Sequence, residues 1–188
     1  TRLWRSGSRR SHWPPCSRAF WAPPLSPACG KWPPGGARTD GSHDRSVYPV
    51  RDLQAFLNGR WRIARRISDA RAELMGRLTG WSVFTPSADG LIHDERGDLN
   101  FGAYRGPVTR RYHLIANGSS GTVRHADGSL FHALDLASGM ADILHACGDD
   151  RYRGRYRVLD ENRFTVSWQV TGPRKQYHLA TLHRRAEA

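Results

Sequence analysis

From Gly59 onward the chain keeps returning to a period of two, and no other feature narrows its possible folds so far. In "WRIARRI", Trp61, Ile63 and Ile67 alternate with Arg60, Arg62, Ala64 and Arg66. Alternation of this kind marks a strand with one buried and one wet face. "LTGWSVFTP", "LIHDERGDL", "RRYHLIA", "GTVRHADGSLFHALDL", "YRGRYRVL", "RFTVSWQVT" and "QYHLATLHRR" follow in the same style. Turn chemistry separates them: Asp127-Gly128 suits a tight hairpin with positive φ, and Asp160-Glu161-Asn162 and Gly172-Pro173 punctuate the later runs. Roughly eight to ten short strands at hairpin spacing, with no long helix, predict an all-β antiparallel barrel or sandwich. A short amphipathic helix is expected just before them, since Leu53, Phe56 and Leu57 stand at helical spacing and Gly59 ends the turn.

The first residues have a different character. Residues 1–45 hold seven of the eleven prolines and four of the seven tryptophans, with no sustained period. Proline pairs remove backbone donors and resist both helix and central strand. The chain therefore divides into a Pro/Arg/Trp-rich tail, residues 1–46, expected to be disordered or non-native, and a barrel domain, residues 47–188. On this reading translation starts near Val47 or Val50.

Charge divides in the same way. The net charge is +12, yet residues 1–45 carry eight basic residues against Asp40 and Asp44, and the remainder carries 21 against 15. In the domain the arginines alternate with nearly every strand position and mark no single stripe, which argues against a nucleic-acid partner. No run approaches the ~18 apolar residues of a membrane span, so no membrane partner is expected. Cys16 and Cys29 fall in the tail and Cys147 stands alone in the domain, a usage that points to a reducing, cytoplasmic location.

Several stretches carry a resemblance. "NGRWRI", with Gly59-Arg60-Trp61, resembles the Gly-x-Trp that opens the first strand of lipocalins and other calycin barrels. In those barrels an arginine near the end of the last strand packs over the tryptophan. Arg184 or Arg185 of "LHRR" stands in that place, and we take Arg184 with Trp61 as the closure pair. "FLNGRWRIARRI", "HDERG", "RRYHL", "DGSLFHALD", "HACGDDRYRGRY" and "WQVTGPRKQYHLATLHRR", in this order, are similar to the uncharacterised calycin-like family known as domain of unknown function 6314. The resemblance runs from Leu53 to Arg185 and implies a lipocalin-like β-barrel without an established activity. The chain departs from the family pattern at His93, Leu114 and Ser129.

The polar residues suggest what such a barrel would hold. Inward carboxylates need partners, because an isolated buried charge is costly. Glu95, His132, His145, Asp150, Tyr152, Arg174 and Lys175 are the expected lining of a polar interior, with Arg174 or Lys175 anchoring an anionic or polar small molecule. His145 and Cys147 share a strand face and could meet His132, but zinc wants about four ligands, so no metal is expected. Haem with His132 or His145 as axial ligand is a subsidiary version. The alternative to a binding barrel is an acid–base enzyme in which Glu95 or Asp150 is the base and His132 or Tyr152 the acid.

Overall fold

Asp52 starts the helix and Gly59 starts the sheet. In the computed structural model, which describes residues 47–187, the Asp52 carboxylate accepts from the Ala55 amide and caps α1, Leu53–Leu57. Gly59, at φ 106°, then turns the chain into β1, Gly59–Asp69. The first half of the sheet continues with β2 (Leu74–Ser87), β3 (Gly90–Phe101), β4 (Tyr104–Asn117) and β5 (Ser120–His125). The second half comprises β6 (Leu130–Asp135), β7 (Met140–Cys147), β8 (Asp150–Asp160), β9 (Arg163–Gly172) and β10 (Lys175–Arg185).

All ten strands lie in one antiparallel sheet of order β6-β5-β4-β3-β2-β1-β10-β9-β8-β7. Every strand thus pairs with its sequence neighbour except β6 with β7, and β1 pairs with β10 to bring the ends round. The result is a nearly closed up-and-down barrel whose one open seam lies between β6 and β7. Next to that seam the segment before the helix is tied down: the Tyr48 amide donates to Val158 O and the Val50 amide to Leu136 O, each at 3.0 Å. Alternation sorts the side chains. Trp61, Phe84, Leu91, Leu114, Val158 and Phe164 fill the interior at the helix end, while Leu78, Leu99 and Phe101 pack with Ile63 nearer the opposite mouth.

The helix plugs one end. Leu53 and Leu57 are buried under it, and the Trp61 indole donates from Nε1 to Leu57 O at 2.8 Å. The guanidinium over this indole belongs to Arg185, its carbon 4.2 Å from the ring centroid. Arg185 also donates to Asn58 O at 3.0 Å and Phe56 O at 2.6 Å, so one side chain ties the last strand to the helix end. Arg184, our expected closure residue, lies outside. Cross-strand register sets Arg185 opposite Trp61 and Arg184 opposite Arg62, so parity alone sends Arg184 to the outer face.

The expected helix and the antiparallel barrel are both present. The tail, residues 1–46, lies outside the described residues. Among the described residues no helix is long and apolar enough to cross a membrane.

Arg185→Ala is expected to lower stability by about 2 kcal/mol, through loss of a cation–π contact and charged hydrogen bonds to carbonyls. Arg184→Ala should leave the urea midpoint close to wild type. Equal effects of the two substitutions would contradict the assignment.

Candidate site: a charged partition inside the barrel

Arg65 follows the parity of Trp61, Ile63 and Ile67 and therefore points inward. It is buried, as is Glu95 on β3, and the two form a bidentate pair at 2.8 and 2.5 Å. The Arg65 Nε also donates to the Thr181 hydroxyl at 2.7 Å, which fixes the guanidinium plane across the barrel. Arg110, directly opposite Glu95 in the β3–β4 register, adds a second guanidinium. Burial alone would raise the Glu95 carboxyl; Arg65 and Arg110 overcome it and hold Glu95 far below the usual carboxylate range.

This cluster separates two cavities. Both are lined by Arg65, Glu95, Arg110 and Leu179, which form their shared wall. On the helix side is a chamber of about 70 Å³, room for about two waters. Histidines and aromatic rings surround it. His93 stacks on Phe84 with centroids 4.1 Å apart and shares a 2.5 Å hydrogen bond with the Ser82 hydroxyl. His132 sits 2.9 Å from Ala133 O through Nδ1, which must donate, so Nε2 accepts from the Tyr156 hydroxyl at 3.3 Å. His183 stacks on Phe164 at 4.1 Å, and its buried Nδ1 has no hydrogen-bond partner among the described residues. Burial lowers His93 and His132 to about 4 and His183 to about 3, against the pull of Glu95 on His93 and His183 and of the Ala133 carbonyl on His132. All three are neutral at pH 7.

On the mouth side is a cavity of about 310 Å³. Ile67, Leu78, Leu99, Phe101, Val108 and Leu179 give it apolar walls, and the charged partition is its floor. Tyr104, Tyr177 and Lys175 stand at its rim. Lys175 donates to Asp150 at 2.5 Å and to the Tyr152 hydroxyl at 3.2 Å. Burial works against its ammonium, but Asp150 and Tyr152 hold the proton and leave it raised.

The expected lining residues thus separate into distinct places. Glu95 is in the partition, His132 in the inner chamber and Lys175 at the rim, while Asp150 and Tyr152 line neither cavity and meet the site only through Lys175. His145 lines neither cavity; its ring packs against Phe131 and Tyr152 at 5.3 and 5.7 Å. Arg174 is exposed in the β9–β10 turn, so Lys175 supplies the rim cation. The carboxylate of Glu95, engaged at both oxygens, is a weak proton acceptor, which works against it as a base. A chamber for about two waters has no room for a macrocycle beside His132. Among the described residues no three His, Cys, Asp or Glu side chains converge as a metal set. Sequence reasoning passed over Arg65 and His183, although strand parity placed both: Arg65 shares a face with Trp61, and His183 with Leu179.

Strands that run up and down round an aromatic interior, with a helical plug and a polar centre, define a calycin-like barrel. The chain belongs to the family of unknown function DUF6314, whose model matches residues 57–185. Among solved structures, the S-type phycobiliprotein lyase CPES from Guillardia theta is similar in fold, at TM-score 0.56 and 8% identity over 72% of this chain and 92% of that one. A DUF3598 protein of unknown function from Nostoc punctiforme gives TM-score 0.51 at 10% identity, over 75% of this chain and 51% of that one. No curated protein matches the sequence.

Two outcomes follow from the interior. Neutral buried histidines regain ordinary proton affinity on unfolding, so the unfolded chain binds more protons below about pH 6.5. Stability should be full above that value and fall as pH drops toward 4, by about 1.4 kcal/mol per pH unit for each histidine. Urea unfolding across this range measures it, and His132→Phe should remove one histidine's share of the slope. Glu95→Gln, which strands the Arg65 charge in the interior, should cost about 3–5 kcal/mol in the same assay.

Proposed function

We propose that the protein binds a small amphipathic anion in the mouth cavity, its apolar body against the walls and its acidic group on the partition. One observation carries this reading: a cavity of about 310 Å³ is apolar round its sides and cationic at its floor and rim. The volume lies at the lower end of that of small-ligand sites, about 300–1,000 Å³. Among the residues lining the floor, Arg65 and Arg110 set two positive charges beside the single negative charge of Glu95. A buried excess of this sign favours a ligand that brings a carboxylate or comparable group. At the rim, an ammonium has three donors, of which Asp150 and Tyr152 take two, leaving one for the ligand. Barrels of about eight strands or more commonly hold one small molecule. That a barrel of similar fold is a phycobiliprotein lyase is consistent with a small-molecule role for this architecture.

The test uses the full chain and the fluorescent anion 8-anilinonaphthalene-1-sulfonate, displaced by octanoate or by octan-1-ol. Octanoate should displace the dye well below the concentration at which the alcohol does. Arg110→Met should weaken octanoate by about tenfold, the scale of one charged hydrogen bond, and barely affect the alcohol. Leu99→Trp, which fills the cavity, should abolish both. Equal displacement by acid and alcohol would overturn the anionic assignment, and undiminished binding to Leu99→Trp would overturn the cavity.

A further inference from the structure

The outer wall carries a feature that the linear order of residues conceals. Register brings Arg184 opposite Arg62, Arg62 opposite Trp81 and Trp81 opposite Arg96, one residue from each of β10, β1, β2 and β3. Adjacent strands lie about 4.8 Å apart, so this row spans on the order of 15 Å. The Arg60 guanidinium lies 3.5 Å from the Trp81 ring centroid, and that of Arg62 lies at 5.4 Å. A parallel row sets Arg66 opposite Arg77, with Arg105 two strands beyond.

The wall is drawn in along this row. Gly80 and Gly97 face each other in register, and a Cβ at Gly80 would collide with the Arg96 carbonyl. Above them the outer surface forms a depression of about 830 Å³, lined by Arg62, Trp81, Arg96 and Arg184 among others. Asp98 is the one carboxylate in that lining among the described residues. None of the ion pairs among the described residues uses Arg62, Arg96 or Arg184. Three guanidiniums without carboxylate partners are therefore gathered in one concave place.

We propose that this depression binds single-stranded nucleic acid, with phosphates on Arg184, Arg62 and Arg96 and a base against the Arg60–Trp81 stack. A row of about 15 Å reaches about four phosphates at the ~3.4 Å rise of a stacked strand. A cationic groove with an aromatic group at its centre suits a strand whose bases are free to stack. A bilayer demands a flat or protruding face, and this face is recessed. An acidic peptide would satisfy the arginines, but only a nucleic acid brings a stacking base with every phosphate. Strand parity turns these arginine side chains outward, away from the partition, although the depression and the mouth cavity share Pro107, Val108 and Thr109 in their walls.

The test is fluorescence anisotropy of a labelled oligothymidylate of about twelve nucleotides, titrated with the full chain at about 50 and about 200 mM salt. Binding should weaken with salt at a log–log slope of about −2 to −3, as about 0.7 per phosphate requires. Arg62→Glu with Arg96→Glu should reduce affinity roughly tenfold or more, and Arg184→Glu alone by a few-fold. Arg151→Glu with Arg153→Glu makes the same charge change on β8, outside the row, and should matter far less. Both pairs must keep the wild-type circular dichroism, and Arg184→Glu provides a single-site reading if the first pair does not. No salt-dependent binding, equal losses from the two pairs, tighter binding of a duplex, or capture by phosphatidylserine vesicles without oligonucleotide binding would each overturn the proposal.

Discussion

The Arg65–Glu95 pair holds this barrel in its arrangement. Taking two charges out of water costs several kcal/mol per ion, and the cost is offset only where geometry and hydrogen bonds are good. Here they are: two parallel contacts join the guanidinium to the carboxylate, and Thr181 takes the remaining direction of Nε. The pair divides the interior, so what could have been one continuous lumen is a small aromatic chamber under the helix and a larger cavity at the mouth. It also keeps Glu95 ionised, as its two guanidinium neighbours require.

The helix end has a different logic. There the interior is filled by Trp61, Phe164, Leu53 and Leu57, and Arg185 closes it from the last strand. The rings of His93, His132 and His183 serve as part of this filling while they are neutral, stacked on Phe84, packed edge-on to Phe131 and stacked on Phe164. Protonation would set like charges beside Arg65 and Arg110 in a medium of low dielectric. One end of the barrel is therefore built for stability and the other for access.

Much of the fold was legible in the residues, because period two and turn chemistry are local signals. The interior was legible in part. Glu95, His132 and Lys175 line the two cavities, and Arg65 lies hidden in the sequence beside Arg60, Arg62 and Arg66, although it alone shares the parity of Trp61 and Ile63. Arg184 was preferred to Arg185 when the register of β1 with β10, invisible locally, decides between them. The same limit hid the outer arginine row. Along each strand its members are single residues in an ordinary alternation; only pairing among four strands, distant in sequence, sets Arg184, Arg62 and Arg96 side by side. Each strand of this wall thus contributes to two surfaces of unlike chemistry, separated by one residue of register.

The central claim is that the charged partition forms the floor of a ligand cavity, and a crystal structure with octanoate tests it most directly. The account predicts the carboxylate at Arg110 on the mouth side of Glu95, the chain along Leu78, Leu99 and Phe101, and the Arg65–Glu95 pair intact. A mouth cavity left empty, or octanoate found on the helix side with Glu95 displaced, would contradict it.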